Sequence, residues 1–345
     1  LDTRDKLTGA QVYGMDLALP GLLNAAIRDC PVFGGKLKSF DAAAIAKRPG
    51  VKKVVRVGDS AVAVVADTWW RAKTALDAGE VASLNNPRFS KASGSTGMWR
   101  PSDFLSDNTL GIYFTEPYDP KRIPVLFVHG IGGSPRDFRY MMAHFDSSRY
   151  QLWFFHYPSG LRLGRLSGAL AKGLEVLHQR HGFNDCYLVA HSMGGLVSAD
   201  SIRAASLGSK TNFITKFVTI SSPFGGHEAA ELAVRHLSKP VPSWRDVAPQ
   251  SAFLTNLDLA PLPSGMRYDL IYGATGLDDG VVTVASQLES RNRAKASSVT
   301  RFAFGHEQIL NEPIVVQHVL ECLHKGDVES LPTTITLGDL AASRR

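Results

Sequence analysis

Cysteine is scarce in this sequence of 345 residues. Cys30, Cys186 and Cys322 lie far apart, their number is odd, and no two of them form a C-x-x-C pair. This spacing argues against a disulfide framework. His318 and Cys322 are one helical turn apart on a predicted helix, and we interpret that pair as helical packing rather than as two metal ligands.

Long hydrophobic runs are missing as well. No stretch of about 18 consecutive apolar residues occurs, so no transmembrane helix and no stable membrane insertion are expected. The chain begins Leu1-Asp2-Thr3, without an initiator methionine and without the apolar core of a signal peptide. As written, the sequence predicts a cytoplasmic protein. The same start also fits a processed chain, or one that begins inside a longer, exported form.

The basic excess is small and lies mainly in the first quarter of the chain. The formal net charge is +6, and residues 1–90 hold 13 Lys and Arg against 9 Asp and Glu. No basic cluster alternates with aromatic residues, which argues against a nucleic-acid partner. The pattern G-x-G-x-x-G is absent and no lysine follows at P-loop spacing, so a phosphate-binding loop is rejected.

What is present predicts an α/β protein with two units. A hydrophobic fraction of 44% over 345 residues supports one large domain and a smaller one. Residues 1–84 are interpreted as an α+β lobe, because the β-branched runs 51–57 and 61–66 flank the turn Gly58-Asp59-Ser60. The other elements predicted in this lobe are strands at 11–17, 22–27 and 36–40 and helices at 41–47 and 67–76.

Residues 85–108 are predicted as a linker because the segment 90–97 is rich in Ser and Gly. Strands and helices then alternate over 109–326, a pattern typical of a parallel sheet with helices on both faces, and 327–345 is predicted as a tail. The predicted strands are 110–115, 123–128, 151–157, 187–190, 214–220, 268–272 and 300–304, and the longest predicted helices are 163–181, 194–206 and 313–323.

Ser192 lies where a predicted buried strand, 187–190, meets the apolar start of a helix. The phrase Ala190-His191-Ser192-Met193-Gly194 follows the pattern G-x-S-x-G, with alanine in the first place. At such a turn the hydroxyl is raised above the sheet, beside the free backbone N–H groups of the helix start. Ser192 is therefore the candidate nucleophile. The alternative is an ordinary strand–helix turn that contains a serine.

A serine nucleophile needs a base and a group that orients the base. His306 follows the strand predicted at 300–304, in a loop from which it can reach the elbow. Asp279 follows the strand at 268–272 and is the candidate orienting acid, with Asp278 as the alternative. A solvated turn made by the sequence Asp-Asp-Gly is the structural alternative for either carboxylate.

Backbone N–H groups are needed to stabilise the oxyanion that forms during acyl transfer. Met193 directly follows the nucleophile, and Ile131 lies on the glycine-rich loop after the strand at 123–128. These two amides are the predicted oxyanion donors. His129 and His191, which belong to these two motifs, are expected to hold the loops together by hydrogen bonds. The residues expected to border the substrate pocket are His129, Gly130, Gly132 and His191.

Residues 224–265 are predicted to be an insertion between two strands of the sheet. The segment is apolar enough to form a cap over Ser192, which would exclude water and shape the acyl pocket. A plain crossover helix is the alternative interpretation, and both can hold.

Residues 99–325 resemble bacterial lipases and esterases of the α/β-hydrolase family. The chain order Ser, Asp, His is also that of this family. The resemblance implies an α/β-hydrolase fold with a cap insertion, and the roles of nucleophile, acid and base given above. The matching phrases are the elbow 190–195, the loop 129–133, the acid loop 278–282 with the later Ser286, and 244–251.

Residues 1–80 resemble the α/β-hammerhead region of the molybdenum-binding subunit of aldehyde and xanthine oxidoreductases, most nearly the isoquinoline branch. That family's longer molybdopterin-binding domains are missing here, and no residue carries over as a molybdenum site. We therefore favour a fused fragment acting as a cover or spacer over a redox module. The matching phrases are 8–10, 15–21, 49–51, 58–66 and 70–73.

The leading hypothesis is a serine hydrolase, independent of metal and cofactor, that cleaves carboxylic esters of small or lipid-like molecules through an acyl-enzyme. An acyltransferase or amide-cleaving enzyme with the same three residues is the first alternative. A partner-binding homologue without catalysis is a second, although such homologues usually lose the nucleophile or the base. A molybdenum oxidoreductase is the least favoured.

Overall fold

The structure is a computed structural model that describes residues 21–29, 37, 40, 42–47, 50–68, 72, 80–106, 110–208, 213–259 and 262–325. It contains one small antiparallel sheet and one large, mostly parallel sheet. Within these ranges, no helix combines the length and the hydropathy needed to cross a membrane.

The small sheet is formed by the β-branched segments of the N-terminal region. Its elements are β1 (Asn24–Asp29), helix α1 (Ala42–Ala46), β2 (Val51–Val57) and β3 (Ala61–Ala66), with strand order β1-β3-β2. Gly58 adopts φ +57° in the turn between β2 and β3, a conformation in which glycine carries no steric penalty. The strand predicted at 11–17 and most of the elements predicted at 36–40 and 67–76 lie outside the described residues.

The large sheet has eight strands in the order β11-β10-β9-β8-β6-β7-β5-β4. Only β5 runs antiparallel to its neighbour β7, while the other pairs are parallel, as the alternation of strands and helices predicts. The strands are β4 (Glu80–Val81), β5 (Gly111–Phe114), β6 (Ile123–Val128), β7 (Tyr150–His156), β8 (Cys186–His191), β9 (Ile214–Ile220), β10 (Arg267–Gly273) and β11 (Ser298–Phe302).

Helices cover both faces of this sheet and divide the core into two apolar layers. One layer contains Leu170 and Val197 from the long helices α5 and α6, and the other contains Met141 and Val315 from α4 and α12. The helices are α2 (Lys91–Trp99), α3 (Pro101–Ser106), α4 (Arg139–Met142), α5 (Leu163–His181), α6 (Met193–Gly208), α7 (Glu228–His236), α8 (Trp244–Val247), α9 (Ala252–Leu259), α10 (Val284–Gln287), α11 (Ser290–Lys295) and α12 (Pro313–His324).

The prediction of a linker over 85–108 is wrong, because α2 and α3 occupy most of this segment. Ser90 caps α2 by accepting a hydrogen bond from the Ser93 N–H, so a serine that suggested a loop in fact starts a helix. The Arg136 side chain donates hydrogen bonds to the carbonyl groups of 84–86, at 2.8 to 3.0 Å. Tertiary contacts thus override the low helix propensity of Ser and Gly.

The large sheet also begins earlier than predicted. Its edge strand β4 pairs in parallel with β5, although the sequence suggested that no strand before residue 110 was needed. Glu80 in β4 forms ion pairs with Arg28 from β1 and with Arg88. The boundary predicted at residue 84 therefore assigns β4 to the N-terminal lobe, although this strand belongs to the large sheet.

Phe89 provides a test of whether this segment is part of the hydrophobic core. The side chain is fully buried, with ring centroids 4.8 to 5.2 Å from Phe154, Tyr113 and His156. We expect Phe89→Ala to reduce the free energy of unfolding by about 3–5 kcal/mol in urea titrations, because it leaves a large cavity. The exposed Ile314→Ala should change it by less than about 0.5 kcal/mol. Equal effects of the two substitutions would restore the linker interpretation.

Candidate active site

Ser192 occupies the sharp turn between β8 and α6, as its sequence pattern predicts. Its φ is +54°, a left-handed conformation that is strained for a residue with a side chain. The turn is held by a hydrogen bond from the Ser192 N–H to the Ile220 carbonyl, 2.8 Å long. Gly194 is required by close packing, since a Cβ there would lie 2.4 Å from the Val128 carbonyl oxygen. The strained turn therefore depends on tight contact between α6 and the end of β6.

His306 and Asp279 join Ser192 in one chain of hydrogen bonds, although these residues lie on three separate loops. The distance from Ser192 Oγ to His306 Nε2 is 2.9 Å, and that from His306 Nδ1 to Asp279 Oδ2 is 2.7 Å. A neutral imidazole that donates from Nδ1 to Asp279 leaves Nε2 free to accept the hydroxyl proton of Ser192. This arrangement can turn a serine hydroxyl into a nucleophile.

Asp279, and not the adjacent Asp278, is the carboxylate that contacts His306. Asp279 is buried and its Oδ1 accepts hydrogen bonds from the N–H groups of Val281 and Val282, at 3.0 and 2.7 Å. Burial raises the pKa of Asp279, but the hydrogen bond and positive charge offered by His306, together with these two amides, outweigh it, so the net pKa lies below the ordinary value. Asp278 is exposed and instead accepts from the Gly280 N–H.

His191 holds the base in place from the nucleophile's own strand. Its Nε2 donates to the backbone carbonyl of His306 at 2.8 Å. Burial, followed by the nearby His306, lowers the pKa of His191 to about 3, so the ring is neutral at physiological pH. A neutral ring has one N–H to donate and adds no positive charge beside the base.

His129 supports the neighbouring loop in a similar way. Its ring stacks on Tyr157 at a centroid distance of 4.2 Å, and the Tyr157 hydroxyl donates to the His129 backbone carbonyl. Burial lowers the pKa of His129 to about 4, so this ring is also neutral. His129 Nδ1 donates to the Gly130 carbonyl at 2.9 Å, so the rings of His129 and His191 both hydrogen-bond to loop backbone.

The two predicted oxyanion donors belong to the segments next to Ser192, namely the start of α6 and the loop 130–133. Met193 is the first residue of α6, whose first amides have no partner within the helix. Gly130 packs so closely that a Cβ there would lie 2.9 Å from the Ser192 Cβ. In the next part of that loop the Gly132 N–H donates to Ser159 Oγ at 2.8 Å. Among the described residues, the Ile131 N–H makes no hydrogen bond and is free for a ligand.

A cavity of about 260 Å³ opens directly above Ser192 and His306. Its lining includes the predicted pocket residues Gly130, Gly132 and His191, whereas the buried His129 is not among the lining residues. Sequence reasoning missed the charged side chains of the lining. Glu307 could have been inferred from its place next to His306, but Lys91 came from the segment predicted as a linker. The lining residues that sequence reasoning did not single out for this cavity are Lys91, Gly133, Asp137, Val281, Glu307, Leu310 and Asn311.

The described residues of the segment 224–265 are not among those that line this cavity. Val247, Leu254 and Leu257 belong to the buried core, whereas Leu232 and Leu237 of the same segment are exposed. Part of the apolar surface of the segment is therefore used in core packing, and a cap over Ser192 stays a prediction beside the crossover interpretation.

The lining of the cavity includes one basic and two acidic side chains, Lys91, Asp137 and Glu307. Burial raises the pKa of Asp137 and the negative charge of Glu307 adds to this, while the Ser134 N–H and the Lys91 ammonium oppose it. Asp137 also accepts from the Ser134 N–H at 2.9 Å within a capping box. The lining thus combines these charged side chains with the apolar residues Ile131 and Leu310.

Within the described part of the chain, no group of three His, Cys, Asp or Glu side chains is arranged to hold a metal ion. His318 Nε2 lies 3.6 Å from Cys322 Sγ on α12, and Cys322 is buried in the core. This pair belongs to helical packing.

The dependence of the unfolding free energy on pH tests the environment of Asp279. Because its folded pKa lies below the unfolded value of about 3.9, its stabilisation is fully present above about pH 5 and is lost as pH falls through the folded pKa. We expect the difference in unfolding free energy between wild type and Asp279→Asn to shrink as pH falls from about 5 to 2. Asp278→Asn is the matched control and should show a small, flat difference. A flat difference for Asp279→Asn would contradict the assignment.

Residues 123–261 match a family model described as the alpha/beta hydrolase fold. No curated protein sequence matches the chain. The mature lipase BlEst2 of Bacillus licheniformis is similar at 18% identity, over 61% of this chain and 97% of that one, with a TM-score of 0.50. The lin2722 product of Listeria innocua is similar at 18% identity over 61% and 96%, with a TM-score of 0.46.

Aspergillus fumigatus lipase B is similar at 15% identity over 59% of this chain and 54% of that one, with a TM-score of 0.46. At these identities a structural likeness concerns the fold alone. The resemblance of residues 1–80 to molybdenum oxidoreductases lies outside the matched range and stays a prediction. The chain contains a domain with the α/β-hydrolase fold, as shown by the family match, the mostly parallel sheet flanked by helices, and the serine at the strand–helix turn.

Proposed function

We propose that this protein is a serine hydrolase that cleaves carboxylic esters, with Ser192 as nucleophile, His306 as base and Asp279 as orienting acid. The observation that carries the proposal is the continuous chain of hydrogen bonds from Ser192 through His306 to Asp279, located beneath an open cavity. The α/β-hydrolase fold and the likeness to a Bacillus lipase raise the expectation of a hydrolase, by analogy of fold only.

In the first half of the reaction, Ser192 Oγ attacks the ester carbonyl carbon while its proton passes to His306 Nε2. The carbonyl electron pair moves onto oxygen, where the N–H groups of Ile131 and Met193 stabilise the negative charge. Asp279 stabilises the imidazolium that forms. When the intermediate collapses, the ester C–O bond breaks and His306 delivers the proton to the departing alcohol, leaving an acyl group on Ser192.

In the second half, water repeats these steps on the acyl-enzyme. His306 takes a proton from the water as the water oxygen attacks the acyl carbon. It then returns that proton to Ser192 Oγ as the carboxylic acid leaves. An acyltransferase would use an alcohol in place of this water.

Replacement of the nucleophile tests the proposal. Ser192→Ala should reduce kcat on p-nitrophenyl butyrate by about 10⁴- to 10⁶-fold with folding intact, because the three residues act as a unit. A fluorophosphonate should label the wild type at Ser192, and peptide mass spectrometry should find the adduct there. The exposed Ser106→Ala is the matched control and should keep full activity. Retained activity in Ser192→Ala, with labelling at another serine, would contradict the assignment.

A further inference from the structure

Helix α2 makes backbone contact with the loop that carries a proposed oxyanion donor. A Cβ at Gly94 would lie 2.3 Å from the Gly133 carbonyl oxygen and 2.7 Å from that of Gly132. Carbon atoms do not approach oxygen so closely, and both neighbours are backbone atoms that cannot rotate away. Only glycine at position 94 therefore permits the observed distance between α2 and the loop 130–133.

A second loop, 158–160, contacts the C-terminal end of the same helix. The Gly160 N–H donates to the Gly97 carbonyl at 3.0 Å, and a Cβ at Gly160 would lie 2.1 Å from the Met98 carbonyl oxygen. The neighbouring Ser159 accepts the hydrogen bond from the Gly132 N–H described above. Helix α2 is thus packed between the loops 130–133 and 158–160, which are also bonded directly to each other.

The loop 130–133 connects helix α2 to the nucleophile, because its last residues lie next to Gly94 and its first residue lies next to Ser192. Gly130, at the start of the loop, lies so near Ser192 that a Cβ at position 130 would come within 3.3 Å of Ser192 Oγ, and Ile131 follows Gly130 directly. A shift of the loop by a few tenths of an ångström would move the Ile131 N–H relative to Ser192 Oγ. Oxyanion donors act through precise distances to the developing charge, so such a shift matters most in the transition state.

We propose that Gly94 is a positioning residue, and that α2 sets the position of the Ile131 N–H by backbone contact with the loop 130–133. The proposal rests on the proposed esterase function for its catalytic consequence, while its structural part stands without it. Helix α2 lies before the range 123–261 matched by the family model, so it extends the functional unit beyond that range.

Gly94→Ala is the test, and Gly168→Ala is its matched control. Both glycines lie within helices, but a Cβ at Gly168 on α5 would meet no atom within 4 Å. In both helices alanine has the higher intrinsic helix propensity, so propensity alone predicts no harm from either change. Differences between the two variants therefore report on the contact with the loop.

We expect Gly94→Ala to lower kcat on p-nitrophenyl butyrate by about 10- to 100-fold, with KM within about threefold of wild type, because an oxyanion donor acts mainly in the transition state. The Ki of a trifluoromethyl ketone, which forms a tetrahedral adduct on the nucleophile, should rise by the same factor as kcat/KM falls. A general loss of stability would not produce this match. Gly168→Ala should keep wild-type values in both measurements.

Hydrogen exchange of the peptide containing residues 130–133 gives a readout that does not need ester hydrolysis. It should be faster in Gly94→Ala than in Gly168→Ala. If the wild type hydrolyses no ester, the proposed function fails, and this exchange difference alone decides the structural part. Equal exchange in the two variants would overturn the positioning role, and so would a kcat for Gly94→Ala within twofold of Gly168→Ala in an active enzyme.

Met98→Ala keeps the proposal testable if Gly94→Ala does not fold. The Met98 sulfur lies 3.3 Å from the position of a Cβ at Gly132, so the substitution only removes atoms from the contact between α2 and the loop. It should lower kcat by about three- to tenfold with little change in KM and should speed exchange at 130–133. No change in either measurement would overturn the proposal.

Discussion

The left-handed backbone of Ser192 is the constraint on which the site depends. A residue with a side chain adopts φ +54° only when its surroundings impose it, and here β8 and α6 meet at this residue. Gly194 and Gly195 let α6 lie against the end of β6 and against Ser222, where a Cβ would come within 2.4 Å and 2.1 Å of their atoms. The strain at the serine is thus offset by packing in the elements around it.

The same principle extends outward from the elbow. Gly130 contacts Ser192, the loop 130–133 contacts Gly94, and Gly160 contacts the end of α2, in each case at distances that exclude a Cβ. Successive backbone segments are stacked without side chains between them. Such a stack has no rotamers with which to absorb a displacement, so it can hold backbone N–H groups at defined positions.

The charge states of the residues around His306 are a second requirement of the site. The loops after β8, β10 and β11 meet at the carboxyl edge of the parallel sheet, which brings together residues that are far apart in sequence. Asp279 stays ionised because His306 and two backbone amides stabilise its charge, while burial keeps His191 neutral. The Asp279 carboxylate therefore faces the base, and His191 adds no positive charge beside the imidazolium that the reaction would form.

The sequence predicted the parts of this structure that depend on local pattern. The strands 123–128 and 214–220 and the helix 163–181 have the predicted bounds, and Ser192 lies at the predicted turn. These bounds and this turn follow from periodicity and turn chemistry, which are properties of short segments. The preference for Asp279 over Asp278 came instead from the resemblance to the lipase acid loop, in which the aspartate directly before glycine has this role, and Asp279 is the carboxylate that contacts His306.

The features that sequence reasoning missed depend on contacts between distant segments. Ser and Gly around residue 94 suggested a loop, yet these small residues allow α2 to approach the loop 130–133. Lys91 and Asp137 line the same cavity only because the fold brings α2 beside the residues before α4. In the segment 224–265, Val247, Leu254 and Leu257 pack in the core while Leu232 and Leu237 are exposed, and composition does not distinguish a cap from a crossover.

The proposed reaction requires that ester cleavage proceed through an acyl group on Ser192. Rapid mixing of the enzyme with excess p-nitrophenyl butyrate, combined with mass analysis of the protein quenched in acid, detects such an intermediate. We expect a covalent butyryl adduct on the peptide that contains Ser192 and, where deacylation is the slower step, a burst of one p-nitrophenolate per active site. Turnover of the ester by the wild type with no acyl adduct on that peptide at any quench time would contradict it.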